Sequence, residues 1–298
     1  MHLETKRGGP ATARRLVPYV LIFPFFVFLS VFLLWPVGYS LFLSFTDWRL
    51  GFLDRSFIGL ENYVNIFRLE RSRGALTNTI GFAVATVSVG ASLGLVLALA
   101  LHALPKSRRL LQLGFAIPVF STAAAMALIW RLFFDSHFGE INKLMTSLGF
   151  GSVDWLYEPT TARIAVVIVE VWRSTGYALL LFTAGLSAIP RELREAAVVD
   201  GASSLAVFRR VTWPLLAPTT LFVMIVLTAR SFQSFDVVRV LTNGGPQRST
   251  KLLAHILFDE AFVFFNTGFA SSLAIAMAVL ALSVGLLQFQ VDRRIHYR

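Results

Sequence analysis

Residues Glu195 to Pro218 read EAAVVDGASSLAVFRRVTWPLLAP. The stretch is basic and helix-forming, and it lies between two segments apolar enough to cross a bilayer. Nothing in lipid asks for such a segment, so a protein partner at the membrane surface is the expected recipient. Pro190 suits the first helical position, and Arg191 to Asp200 reads as a helix. Leu193, Ala196 and Ala197 share one face at i, i+3, i+4 spacing, and the two alanines leave it shallow enough for another backbone to come close. Gly201 stands where a helix ends in the left-handed conformation, so a turn is expected there. Ser203 or Ser204 can cap a second short helix. Leu205 and Phe208 fall on one side of it, and Arg209 and Arg210 sit at its C-terminal end, where positive charge complements the dipole. The expected product is a helix–turn–helix elbow. The competing reading is an amphipathic loop helix lying on the headgroups, but such a helix would present Leu or Phe where this one has alanine.

The composition agrees with a membrane setting. The chain has 298 residues, of which 56% are apolar and only 15% charged, against about 25% charged in soluble domains. The net charge of +10 is spread in short clusters beside apolar segments, which fits the positive-inside rule and argues against nucleic-acid binding. There is no cysteine, so disulfides, iron–sulfur clusters and thiolate metal sites are excluded. The five histidines are scattered without metal-ligand spacing.

Outward from the elbow, the chain divides into an all-α, polytopic bundle of six expected transmembrane helices. Residues 1–16 form a basic tail with Lys6, Arg7, Arg14 and Arg15. Residues 17–45 carry no charge and exceed a signal-peptide core of roughly 7 to 15 residues, so they read as a retained first span with Pro24 and Pro36 as candidate kinks. Residues 46–75 form an extracytoplasmic loop with five arginines. The core, 76–290, holds spans at about 76–103, 110–134, 163–187, 215–238 and 268–290, with the elbow loop at 190–214 and a tail at 291–298. The second span is dense in small residues and is expected to pack inside the bundle. Leu252 to Phe265, apolar and aromatic around Asp259 and Glu260, reads as an amphipathic helix in the interface. Basic density in the tails, at Lys106, Arg108 and Arg109 and in the elbow puts both termini and the elbow in the cytoplasm, although the arginines of 46–75 run against that orientation.

Charged residues inside spans are the other candidates for function. Glu170 and Arg173 lie in the expected fourth span, and Arg230 and Asp236 in the fifth with Gln233 beside them. A charge at mid-membrane costs roughly 2.5 to 3.5 kcal/mol on insertion scales, so each needs a partner or a water-filled path. Their depths match well enough for Glu170–Arg230 or Arg173–Asp236 pairs between helices. The same residues, with Trp172 as an aromatic platform, could instead line a substrate path. Both readings stay open on sequence.

The elbow resembles a known family. Glu195-Ala196-Ala197, three residues, Gly201, and nine residues to Val211 and Pro214 look like the EAA loop of ABC importer permeases; EAAVVDGAS resembles the carbohydrate-uptake branch, of maltose and glycerol-phosphate type. EVWR at Glu170 to Arg173, AGLSAIP at Ala184 to Pro190, FDVVRVLTNGGP at Phe235 to Pro246 and AFVFFNTGFASSLA at Ala261 to Ala274 agree in order and spacing. Val211 and Trp213 replace the family's usual isoleucine and leucine and stay apolar. The resemblance implies that Glu195, Ala196, Ala197, Asp200, Gly201, Phe208 and Pro214 form the contact to an ATPase. It also implies a pair of ATPase subunits, a second similar permease subunit, an extracytoplasmic solute-binding protein, and a plasma-membrane location. None of the four lysines follows a glycine, so no Walker A loop is present and ATP and Mg are expected in the partner. No catalytic constellation of a membrane enzyme appears. An ion-coupled secondary transporter or channel is the alternative; no internal repeat supports it.

Overall fold

The computed structural model describes residues 11–102 and 108–296, with side chains described for 18–102, 111–291 and 293. The basic residues Lys6, Arg7, Lys106 and Arg298 lie outside the described residues, as do the side chains of Arg14, Arg15, Arg108, Arg109 and Arg294. The described chain forms no strand; a single bridge joins Thr46 to Phe57.

The helices are, in order, α1 (Ala11–Leu29), α2 (Trp35–Leu43), α3 (Glu61–Arg68), α4 (Glu70–His102), α5 (Arg108–Phe120), α6 (Ala123–Phe133) and α7 (Glu140–Ser147). There follow α8 (Pro159–Ala188), α9 (Arg191–Val199), α10 (Ser204–Val207), α11 (Trp213–Phe232), α12 (Asp236–Leu241), α13 (Leu253–Phe258) and α14 (Thr267–His296). Wide π turns at Ser30–Leu34 and Phe208–Thr212 fuse α1 to α2 and α10 to α11. Each is followed two residues later by a proline, Pro36 or Pro214. Proline has no N–H to donate, and its ring crowds the carbonyl four residues back; widening the turn relieves both problems without ending the helix.

Among the described residues five helices are long and apolar enough to cross a membrane: Pro18–Leu43, Glu70–His102, Pro159–Ala188, Ser204–Phe232 and Thr267–Val291. The sixth is Leu111–Phe120 with Ala123–Phe133, two halves bent by 108°. The expected straight third span is therefore a broken one, because Thr122 leaves the helix and caps α6 by accepting from the Ala125 N–H. The expected fifth span, 215–238, is shifted. Its helix starts at Ser204 and ends at Phe232, and α12 is a separate piece.

The bundle is held by close contact of α4 with α8. A Cβ at Gly90 would meet Ser174 Cβ at 2.7 Å, and one at Gly94 would clash with Ala178 and stand 2.9 Å from the Leu179 nitrogen. Small residues let the two backbones approach, as the composition of the second span predicted. Val87, Ala91, Leu179, Phe182, Leu216 and Leu227 complete that core. A second core packs α6 and α12 onto α8 through Ala127, Val169, Val237 and Leu241. By contrast the first span is largely exposed, and among the described residues its packing is concentrated at its C-terminal end, against α14 and Arg55.

Residues 253–263 are helical, as α13 and a wide π turn at Asp259–Val263, and Phe262 to Phe265 stay exposed, but the N-terminal half of this segment is built into the bundle rather than lying at the expected interface. Leu252, Leu253, His255, Ile256 and Glu260 are buried, with Leu253 and Ile256 packed among Ile66, Ala75, Phe269 and Leu273. The charges that suggested a surface are used in pairs: Arg71 with Glu260 at 2.9 Å and Lys251 with Asp259 at 2.6 Å.

Candidate functional site

The break between α11 and α12 decides where the polar residues go. Gln233, Ser234 and Phe235 leave the helix, and Phe235 lays its ring against His255 and Phe258, with centroids at 4.7 and 4.9 Å. Asp236 then opens α12 rather than riding on the fifth span. The result is a cavity of about 140 Å³ lined by Ala123, Glu170, Arg173, Arg230, Gln233, Ser234, Phe235, Asp236 and Val237. Five of the six residues proposed for a substrate path thus meet around one space. The sixth, Trp172, is elsewhere: its ring stands 5.6 Å from that of Trp130, edge to face.

Neither expected interhelical ion pair forms. Arg173 donates to Glu170 at 2.9 Å within α8, one turn apart, and both are buried. Arg230 instead lies over Tyr177, its guanidinium carbon 3.7 Å from the ring centroid. Tyr177 in turn donates to the carbonyl of Val119, in the last turn of α5 before the break. Sequence reading missed Tyr177, although it follows Arg173 at i+4 on α8 and so shares its face. Gln233 and Asp236 are exposed at the rim, so the cavity opens to the outside of this chain.

The elbow is built as its residues predict. Asp200 closes α9, Gly201 takes φ +79°, and Ser203 caps α10 by accepting from the Ala206 N–H. No residue of α9 is buried. Glu195, Ala196 and Gly201 are exposed, and so are three apolar side chains, Val198, Val199 and Leu205, with Val199 at 86%. Ala197 is half-buried and Asp200 exposed. Phe208 sits in the π turn with its ring 6.1 Å from Trp213, and Pro214 is in the first turn of α11. A groove lined by Leu99, His102, Arg194, Glu195, Val199 and Phe208, among others, runs beneath α9. Across it Arg194 reaches His102 Nε2 at 2.9 Å, a tie between the elbow and the end of α4 that the sequence did not announce. Among the described residues no cluster could hold a metal ion.

Comparison with known proteins agrees with this geometry. A family model described as "Binding-protein-dependent transport system inner membrane component" matches residues 90–297. The chain is 30% identical over 285 residues to the sn-glycerol-3-phosphate transport system permease protein UgpA of Agrobacterium fabrum, covering 95% of this chain and 97% of that one. It is 33% identical over 275 residues to the trehalose/maltose transport system permease protein MalF of Thermococcus litoralis, covering 92% and 93%. The fold matches a chain in the crystal structure of a bacterial alginate ABC transporter in complex with an alginate pentasaccharide-bound periplasmic protein. There the TM-score is 0.83 at 21% identity, over 95% of this chain and 96% of that one. This chain therefore belongs to the binding-protein-dependent transport system inner membrane component family: it is an inner-membrane permease subunit of an ABC importer, a translocation subunit rather than an enzyme.

Proposed function

We propose that this permease carries a carbohydrate, meaning a sugar, an oligosaccharide or a sugar or glycerol phosphate, and that the cavity at the α11–α12 break is part of its path. The observation that carries the reading is the convergence of Glu170, Arg173, Arg230, Gln233 and Asp236 on one space between the bent third span and the end of the fifth. Broken helices at mid-membrane place backbone and side-chain polar groups where a hydroxylated solute can exchange its water for protein contacts. The glycerol-phosphate and trehalose/maltose relatives supply the substrate class.

The elbow Arg191–Val199 with Gly201 docks on a separate ATPase, which binds ATP and Mg. Glu195, Ala196, Ala197, Asp200 and Gly201 form the contact, with Phe208 and Pro214 behind it. The exposed, unburied α9 supports this, because a helix that leaves Leu193, Val198 and Val199 uncovered at a surface gains by being covered. The termini and elbow are cytoplasmic. A second, similar permease faces the open side of the cavity, and a solute-binding protein delivers substrate from the other side of the membrane.

Uptake of a panel of radiolabelled sugars and glycerol phosphates, in cells deleted for the gene and complemented with it, tests the reading. Uptake of one of them should stop when the ATPase is disabled; uptake that persists would point to an ion-coupled carrier. Because the chain has no cysteine, single cysteines at Gln233 and Asp236 can be probed without background. They should react with a thiol reagent in one transport state and not the other; inaccessibility in every state removes them from the path.

A further inference from the structure

We infer that a side groove between α4 and α8, at their ends remote from the elbow, binds one glycerophospholipid, with its phosphodiester on Arg163 and Ser249 and an acyl chain along Phe82, Val166 and Val167. The groove is a cavity of about 340 Å³, separate from the one at the α11–α12 break. Asn78 builds its roof by donating to the carbonyls of Arg248 and Lys251 at 3.2 and 3.1 Å, which staples the loop before α13 onto α4. Gly81 leaves its wall open, since a Cβ there would meet no atom within 4 Å. Thr77, Gly81 and Arg163 are exposed and form the mouth, with Phe82 and Val166 buried behind them.

The lining divides by polarity as a lipid does. Arg163 donates from Nε to the Ser249 carbonyl at 3.1 Å, which holds the guanidinium at the mouth. Among the described residues no carboxylate pairs with it. Its two terminal nitrogens form the planar edge that suits a phosphate. Ser249 is 5% exposed, and its hydroxyl has no hydrogen-bond partner. Buried hydroxyls are rarely left so, and a phosphate oxygen would accept this one. Below the mouth the wall turns apolar, and the exposed Ile80 and Val84 of α4 carry that surface on toward the middle of the span.

Depth and size agree with this occupant. Arg163 stands one turn into α8, shortly after Tyr157, an exposed aromatic residue of the kind that sits at headgroup level. From Arg163 to Ala188, where α8 gives way to the elbow, the helix rises about 38 Å. The site therefore lies in the leaflet opposite the elbow. A helix of a neighbouring subunit is too large for the groove, because one turn, about 10 Å across and about 5.4 Å high, fills on the order of 420 Å³. Such a helix would also have to bring a carboxylate to Arg163, whereas every glycerophospholipid carries its own phosphate.

The test uses the full chain purified in a maltoside detergent and stripped of lipid. Its unfolding temperature is read against added dioleoyl-phosphatidylglycerol, dioleoylglycerol and inorganic phosphate. Phosphatidylglycerol alone should raise it, and native mass spectrometry should show one molecule held per chain. Gly81→Leu fills the groove without a clash, so it should match the unmodified protein in the absence of lipid and lose the rise. Arg163→Gln should weaken the apparent affinity about tenfold to a hundredfold, as expected for losing a charged hydrogen-bond partner. An equal rise with dioleoylglycerol overturns the role of the phosphate, and an equal rise with inorganic phosphate overturns the lipid. An undiminished rise in Gly81→Leu places any bound lipid elsewhere and overturns the site. In membranes carrying the complete importer, Gly81→Cys should react with a lipid-phase maleimide. Protection there, with a cross-link to another subunit, would give the groove to a protein neighbour and sink the proposal. Should Arg163→Gln fail to fold, Gly81→Leu still decides.

Discussion

Arg173 sits one helical turn after Glu170 on α8 and donates to it at 2.9 Å, with both side chains buried. Because the two charges share a helix, the pair does not tie one span to another. It cancels a charge that the cavity wall would otherwise carry bare. Removing one partner leaves the other buried and uncompensated, at a cost of about 3 to 5 kcal/mol. Arg173→Met should therefore reduce membrane level and detergent-solubilised thermal stability, and the double variant with Glu170→Gln should regain most of the loss. Equal damage from single and double variants would mean that the pair does not act as a unit.

The contact of Gly94 with α8 predicts a sharper packing defect. A Cβ there would lie 2.9 Å from the Leu179 backbone nitrogen, an atom that cannot turn aside. Gly94→Val should force α4 and α8 apart and cost about 1 to 3 kcal/mol. Gly81→Val, on the same helix with open space around it, should be nearly silent. Thermal unfolding of the two variants in detergent checks the contrast.

At Gly201 the backbone conformation matters and the space does not. Its φ is +79° and no atom lies within 4 Å of an added Cβ. Gly201→Ala should cost only the left-handed conformation, about 1 to 2 kcal/mol, with part of the uptake retained. Gly201→Pro cannot adopt that φ and should redirect α9. Uptake should then be lost at normal membrane level, while the ATPase no longer responds to solute. Normal uptake by Gly201→Pro would remove the elbow from the coupling step.

How much of this was readable beforehand depends on how local each cause is. The elbow was legible because Gly201 and Ser203 act within a few residues of chain. The α4–α8 contact was legible because its small residues crowd one span. The break after Phe232 was not: Gln233-Ser234-Phe235 contains neither proline nor glycine, and the chain stays largely apolar to Val240. What holds it is distant in sequence, the rings of His255 and Phe258 packed against Phe235. The bend in the third span left local signals, Pro118 inside the expected span and Thr122 in an apolar run, but neither marks a turn as sharp as 108° by itself. The burial of Leu253, Ile256 and Glu260 was hidden because Arg71, the partner that neutralises Glu260, is 189 positions away in the chain, counting from 71 to 260.

His255, which holds Phe235 in place, gives the last prediction. The residue is 1% exposed, and burial pushes its imidazole down to about 4, against the pull of nearby Asp259; Lys251 and Arg239 add to the downward push. The folded protein therefore favours neutral histidine, and the unfolded chain binds the extra proton as pH falls below about 6.5. The stabilisation from His255 is complete above that value and is lost progressively as pH falls towards 4, amounting to about 2 kcal/mol by pH 5. Burial raises the carboxyl of Glu260, which works in the opposite direction, so the comparison must be between variants rather than between pH values alone. His255→Phe keeps an aromatic ring beside Phe235 and cannot titrate. The unfolding temperature of the unmodified protein should fall between pH 7 and pH 5 by more than that of His255→Phe. Parallel pH profiles would show that the imidazole is not the group being charged, and would leave the anchoring of Phe235, and with it the cavity wall, independent of pH.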